Sequence, residues 1–366
     1  MKKIVFGITG LTLGGAERVL VDIANALCEH YDITILTLYG GGAFEKEVSK
    51  RVHLQSIYPQ ARETMNKVQK YKISLSLLIP FLREKMYKRW IKGKYDVEVA
   101  FLEGPMTWLF SSPSSSKKIV WIHNDIKAVF GTGHKAMLKN KMNKKMYEHY
   151  HDLVFVSKDN LEKFKEAYPE NKSQKHVIYN YINKEVVLEK AGKGNAKEIK
   201  EDLPSFVQVS RLTEQKAVER LVGVHKRLID EKYNHRIYIV GDGPLREKVE
   251  QKIKEHHVED TFILLGAKKN PYPYMKKADY FLLASYYEGY PMVLLEAKVL
   301  QKPILITDTA AREVLTNYDQ GLIVTNDKAG IYEGMKEFLT RTKKRGRKKE
   351  FSNEEIIEEI KELLGD

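Results

Sequence analysis

The stretch MKKIVFGITGLTLGGA, Met1 to Ala16, decides how the rest of the chain is read. Two lysines, an apolar run and a small residue would also describe a secretory leader. Here Gly7, Gly10, Gly14 and Gly15 interrupt the run, and an amphipathic pattern follows at once. A strand over Ile4–Ile8, a glycine-rich loop and a helix over Ala16–Cys28 account for it better.

Outward from this unit the same alternation continues. Short apolar runs at Ile33–Leu38, Val97–Phe101, Ile119–Ile122 and Leu153–Val156 read as further strands, separated by amphipathic segments. A polar stretch, Lys184–Pro204, carries Gly192, Gly194 and Asn195 and reads as a linker. A second set of strands is expected at Phe206–Val209, Ile237–Val240, Phe262–Leu265, Tyr280–Leu283 and Ile304–Ile306. The alternation is that of parallel sheets with crossover helices. The fold class is therefore α/β, two doubly wound Rossmann-like domains facing across a cleft, with ligands at the carboxyl ends of the strands. The divisions are 1–184, 185–349 and a terminal segment 350–366, whose Ile356, Ile357, Ile360, Leu363 and Leu364 form a helical face.

Composition limits the function classes. Of 366 residues, 43% are apolar and 30% charged, which excludes long disorder. The single cysteine, Cys28, excludes an internal disulfide and a four-cysteine zinc site, and points to a reducing, cytoplasmic setting. The longest other apolar run, Ile73–Leu82, contains two serines and a proline and falls short of the ~20 residues that span a bilayer. The net charge of +13 is unevenly held: residues 1–184 carry 30 Lys/Arg against 18 Asp/Glu, and residues 185–366 carry 32 against 31. An acidic partner is to be sought on the first half.

The loop GLTLGG, Gly10–Gly15, lacks the G-x-G-x-x-G spacing. The next strand ends in Leu38-Tyr39-Gly40 with no acid for a ribose, and no Walker lysine is present. Gly14 and Gly15 either let the backbone approach a ligand at a helix start or simply make a tight turn. EGYPMVLLE is more specific. It puts Glu288 in a loop, Pro291 at a first helical position and Glu296 about 7.5 Å further along the axis at ~1.5 Å per residue. The amides of Met292 and Val293 would then point at an anionic or hydroxylated ligand, although an ordinary amphipathic helix shows the same pattern. Arg211 and Lys216, in VSRLTEQK, combine a planar fork with a point charge, as a diphosphate requires, or are two surface cations.

Together GGAERVL, SRLTEQK, VGDGPLR and EGYPMVLLEA, in this order and spacing, resemble the retaining glycosyltransferases of family four, which have the two-domain GT-B fold. The resemblance spans nearly the whole chain, and Glu288-x7-Glu296 is its most specific element. It implies that Arg211 and Lys216 stabilise the leaving diphosphate and that Glu288 contacts the transferred sugar. Gly289, Met292 and Val293 would stand nearby, with Glu296 on the ribose. Gly14 and Gly15 would approach the diphosphate or acceptor, His123 in WIHND would lie beside the sugar, and Leu265–Lys268 would face the base. It also implies that the terminal helix returns to the first domain.

Departures from the family pattern are Ala217, in place of glycine or asparagine, VIYNYI at Val177–Ile182, and Ala310-Ala311. No D-x-D occurs, so no cofactor and no metal are expected, and the implied chemistry is front-face transfer with retention. Between Arg62 and Lys94 lie ten Lys/Arg and two Asp/Glu interleaved with apolar residues, and Lys135–Lys145 and Arg341–Lys349 add five and seven cations. These suit an anionic membrane surface. The expected partners are a nucleotide sugar, commonly a UDP-sugar in the family, and a glycan or polyprenyl-linked acceptor. The expected location is peripheral, at the cytoplasmic face of the membrane. The competing readings are a nucleotide-sugar epimerase on the same fold and a basic nucleic-acid-binding protein, the latter without a reading motif.

Overall fold

The computed structural model describes residues 1–124, 142–341 and 351–365. Most of the Lys135–Lys145 and Arg341–Lys349 clusters lie outside the described residues. The chain divides into two compact units, Met1–Ile182 with Asn353–Asp366, and Asn183–Ser352.

The first unit is built on seven strands: β1 (Lys3–Ile8), β2 (Asp32–Tyr39), β3 (His53–Tyr58), β4 (Val97–Phe101), β5 (Lys117–Ile122), β6 (Asp152–Phe155) and β7 (Gln174–Val177). Their order is β3-β2-β1-β4-β5-β6-β7. The second unit has six: β8 (Ser205–Val209), β9 (Arg236–Val240), β10 (Phe262–Gly266), β11 (Tyr280–Leu283), β12 (Ile304–Thr307) and β13 (Gly321–Val324), in the order β10-β9-β8-β11-β12-β13. All strand pairs are parallel. Parallel strands need crossovers on both faces, which is why the central ones are unbroken apolar runs. Ile4, Val5, Phe6 and Ile8 of β1, and Ile237 and Ile239 of β9, are fully buried. The two sheets reverse direction at equivalent places, between β1 and β4 and between β8 and β11.

β3, β7 and β13 were not expected from the sequence. All three are sheet edges, where one side needs no partner and the sequence is freed from the apolar rule, as in HLQSIY and QKHV. The expected linker Lys184–Pro204 is also corrected. Lys184–Gly192 is a helix, capped by the Asn183 side chain on the amide of Val186 at 3.1 Å. Asn270 Nδ2 donates to the carbonyls of Lys190 and Lys193, and Ile199 is buried. The glycines mark a helix end inside the second unit, and the chain leaves the first unit at Ile182.

The terminal helix, Glu355–Leu364, belongs to the first unit and packs on the helix Gly15–Leu27. Its last carbonyls accept from lysines at the start of two strands: Lys2 Nζ on Leu364 O at 3.0 Å and Lys117 Nζ on Leu363 O at 2.6 Å. Cations there suit the negative end of the helix dipole. With its amide oriented to match, Asn353 donates to Ile182 O (3.3 Å) and accepts from Ile182 N–H (3.0 Å), so the two points where the chain passes between units are tied together. Among the described residues no helix is long and apolar enough to cross a membrane.

The second core contains a buried polar chain. Thr261 Oγ1 lies 2.8 Å from His225 Nε2, His225 Nδ1 lies 2.9 Å from His235 Nε2, and His235 Nδ1 donates to Tyr233 O at 2.7 Å. Both rings are fully buried, and burial pushes His225 down to about 2 and His235 to about 4. Both are therefore neutral when folded, whereas unfolded histidine titrates near ~6.5. As pH falls below ~6.5 the unfolded chain binds these protons first, so the stability they contribute is complete above that pH and is lost toward the folded values. The free energy of unfolding from urea titrations is expected to fall between pH 7 and pH 5, by about 1.4 kcal/mol per histidine for each unit below ~6.5. The double variant His225→Leu/His235→Leu should flatten that slope. An unchanged slope assigns acid sensitivity elsewhere.

Candidate functional site

In the second unit the loops leaving β8 and β11 meet where the strand order reverses. The loop after β8 carries Arg211 and Lys216, and its path depends on Gly241 at the end of β9. That residue has φ +149°, and a Cβ there would stand 1.9 Å from Ser210 O. Only glycine allows so close an approach. Ser210 N–H donates to Val240 O and Leu212 N–H to Asp242 O, fixing the loop against the turn of GDGP. Ala217 then takes the left-handed conformation, φ +50°, between a short 3-10 turn and the helix Val218–Asp230. This is the conformation for which glycine or asparagine is the usual choice.

Lys216 Nζ donates to Glu288 Oε1 at 2.5 Å, and Ser285 Oγ donates to the same oxygen at 2.5 Å. The Glu288 side chain is 6% exposed and that of Lys216 is 16% exposed, so the pair is largely withdrawn from water while open on one side. Arg211 is exposed, and among the described residues its guanidinium makes no hydrogen bond or ion pair. Gln215 and the β11 loop lock together, Tyr286 N–H to Gln215 O at 2.8 Å and Gln215 Nε2 to Tyr287 O at 3.0 Å. The structure thus brings together Lys216 and Glu288, which are 72 residues apart.

The helix after this loop runs Met292–Val299, with Pro291 as its N-cap rather than its first residue. Leu294 N–H donates to Pro291 O. The earlier amides of Met292 and Val293 have no carbonyl within the helix to bond, as at any helix start. Gly289 is half-buried, and Glu296 accepts from Tyr272 Oη at 3.1 Å. Lys268 was expected through its backbone, at the base of the nucleotide, and its side chain is engaged elsewhere. Its Nζ is 2.9 Å from Glu198, which also accepts from Tyr274 Oη, so this side chain serves the fold of the second unit. The sequence reading missed Arg220, a buried guanidinium that donates to Ala284 O (2.8 Å), Ser285 O (3.2 Å) and Asn326 Oδ1 (2.7 Å) and lies over Tyr286. It holds the loop that presents Glu288.

In the first unit Gly14 is the extended N-cap of the helix Gly15–Leu27, and Gly15 is exposed. His123 follows β5, its ring 4.8 Å from that of Phe101. Burial pushes this histidine down to about 3, and its Nε2 is buried with no partner. The basic segment forms two helices, Lys67–Leu78 and Pro80–Trp90. Tyr87 anchors the second to the sheet, its hydroxyl 2.7 Å from Glu98, which is itself paired with buried Lys118. Val68, Tyr71, Leu75, Leu78, Ile79, Phe81 and Leu82 are exposed, a dense apolar surface among cations. Among the described residues no group of three or more His, Cys, Asp or Glu could hold a metal ion.

Two doubly wound units, one with a cation–carboxylate pair at its switch point, form an α/β architecture with a charged candidate site at the ends of its strands. The family model described as Glycosyltransferase Family 4 matches residues 13–186, and that described as Glycosyl transferases group 1 matches residues 190–355. The chain belongs to the family 4 glycosyltransferases of the GT-B fold and is a hexosyltransferase. It is 26% identical over 390 residues, covering all of both chains, to N-acetylgalactosamine-N,N'-diacetylbacillosaminyl-diphospho-undecaprenol 4-alpha-N-acetylgalactosaminyltransferase of Campylobacter jejuni. A second Campylobacter jejuni relative, a GalNAc-alpha-(1->4)-GalNAc-alpha-(1->3)-diNAcBac-PP-undecaprenol alpha-1,4-N-acetyl-D-galactosaminyltransferase, is 27% identical over 89% of this chain and 86% of its own. Among solved structures, HepE of Anabaena in complex with UDP superposes with a TM-score of 0.78 over 100% of this chain and 99% of its own, at 17% identity.

Because Ala217 sits at positive φ beside Lys216, a β-branched side chain there is strained. Ala217→Val is expected to cost about 2–3 kcal/mol in urea unfolding. A loss below about 0.5 kcal/mol would show that this turn adapts without strain.

Proposed function

We propose that the protein is a retaining, metal-independent glycosyltransferase that moves a hexosyl group from a UDP-sugar to a lipid-linked glycan during bacterial surface-glycan synthesis. The observation that carries this reading is the withdrawn Lys216–Glu288 pair beside the unengaged Arg211 at the switch point of the second sheet. UDP in HepE and the diphospho-undecaprenol named for both relatives support donor and acceptor classes.

Arg211 and Lys216 neutralise the departing diphosphate, the charge that develops as the glycosidic bond breaks. Glu288 Oε1 is occupied by Lys216 and Ser285, leaving Oε2 to accept from a sugar hydroxyl. The amides of Met292 and Val293 add donors at the helix start, and Glu296 holds the ribose. The acceptor oxygen bonds to the anomeric carbon on the face the diphosphate leaves, and its proton passes to the leaving phosphate oxygen. The exposed apolar and basic surface of Lys67–Leu78 and Pro80–Trp90 rests on an anionic bilayer, peripheral at the cytoplasmic face, where a polyprenyl-linked acceptor is met.

A screen of nucleotide sugars should show thermal stabilisation by UDP-sugars and, with a lipid-linked acceptor, a product whose anomeric configuration by NMR is that of the donor. Inversion overturns the proposed path. Consumption of donor without acceptor, yielding its epimer, favours the epimerase. Arg211→Ala should lower kcat by about 10²–10³-fold; an unchanged rate removes it from the chemistry. Vesicles with anionic lipid should sediment the protein and neutral ones should not, with binding lost as salt rises. Equal binding to both, or stronger binding to duplex DNA, defeats the membrane assignment.

A further inference from the structure

The first sheet reverses its strand order between β1 and β4, the position at which the second sheet carries Lys216 and Glu288. Here the backbone leaving β4 takes a costly conformation at Leu102, φ +95°, followed by one that glycine adopts without strain at Gly104, φ +144°. A non-glycine residue at such an angle costs about 1–3 kcal/mol and persists only where surrounding bonds enforce it. They do. Leu102 N–H donates to Trp121 O at 3.1 Å, and Thr107 Oγ1 donates to Leu102 O at 3.0 Å.

Between Leu102 and Gly104 stands Glu103, aimed at the turn after β5. Its Oε1 accepts from the Asn124 amide N–H at 2.8 Å and its Oε2 from Asn124 Nδ2 at 3.2 Å. Burial raises this carboxyl above the usual carboxylate range, opposed by the bonds from the His123–Asn124 turn. His123 immediately precedes Asn124. Its ring lies against Phe101, and its carbonyl accepts from Asn160 Nδ2 at 3.4 Å. The same ring keeps Nε2 buried without a partner, a state that costs about 1–3 kcal/mol. Two adjacent costs, a strained β4 exit and an orphaned imidazole nitrogen, are joined by one carboxylate.

We infer that Glu103 is a positioning residue of the transfer reaction: by gripping Asn124 it fixes the turn that carries His123 and so sets where the ring nitrogen Nε2 points. This rests on the proposed glycosyl transfer, for which the family resemblance implies a role of His123. Glu103 itself touches no reacting atom.

The test compares wild type, Glu103→Ala and Glu103→Gln in the full chain. In Glu103→Ala the turn is released, and kcat per folded molecule should fall about 10²-fold, the scale of a roughly 1 Å misplacement. The donor KM and the calorimetric affinity for UDP, which belong to the second unit, should stay within about 3-fold. Glu103→Gln keeps an oxygen for the Asn124 N–H, and the Asn124 amide can turn its own oxygen toward the new NH2 group, so most of the rate should return. In parallel, the His123 ring correlations in ¹H–¹⁵N spectra should shift or broaden in Glu103→Ala and stay near wild type in Glu103→Gln. A lowered Tm with unchanged kcat per folded molecule reduces Glu103 to a structural role and overturns the inference, as does a lost rate with an unmoved His123 signal. If the wild type turns over no nucleotide sugar, the proposed function has failed, whereas the ring spectra still decide whether Glu103 holds His123.

Discussion

Five hydrogen bonds from one buried guanidinium, that of Arg220, knit the ends of β11 and β13 to the helix Val218–Asp230. No carboxylate pairs with it in these bonds; the acceptors are carbonyl oxygens of Ala284, Ser285 and Asn326 and the Asn326 side chain. A buried charge is tolerable only when its donors are all directed to such dipoles, and a planar fork does this where a lysine could not. Everything on the Glu288 side of the site hangs from this arrangement. Ser285, whose carbonyl also takes a 2.7 Å bond from Thr307, donates to Glu288, and Tyr286 packs beneath the guanidinium while its amide fixes Gln215. The loop bearing Lys216 and the loop bearing Glu288 are thus referenced to one group at the base of both.

The two units use the same switch point for different physics. In the second, opposite charges are held together with little water, Lys216 against Glu288. In the first, burial acts on single groups instead: it holds His123 neutral and raises the Glu103 carboxyl above the usual carboxylate range. A neutral imidazole and a shielded carboxylate suit contact with sugar hydroxyls, whereas cations suit phosphate.

The central strands were legible because a parallel strand buried on both faces must be an apolar run, and IVFGI and RIYIV are such runs. The edge strands β3 and β7 were not, because one free side relaxes that demand, whereas the apolar edge strand β10 was. Lys216, Glu288 and Arg211 were found through motif spacing, while Arg220 was hidden: in VERLVGVHKRL an arginine reads as the polar face of an amphipathic helix. Only the packing shows that its place on that helix points inward. Glu103 carried no signal either, since the strain at the neighbouring Leu102 is a property of a dihedral angle. The glycines of Lys184–Pro204 misled for a related reason, as a helix C-terminus and a flexible connector use the same residues.

The return of Glu355–Leu364 to the first unit has a consequence for how the chain matures. During synthesis at ~5–20 residues per second, the terminal helix emerges roughly 10–40 s after Ile182. For that interval the second unit can close on itself, while Lys2 and Lys117 wait without the carbonyls they later cap. One face of the helix Gly15–Leu27 stays uncovered. The half that carries the apolar, basic surface is therefore the last to be finished, and the helices Lys67–Leu78 and Pro80–Trp90 emerge before the fold behind them is complete.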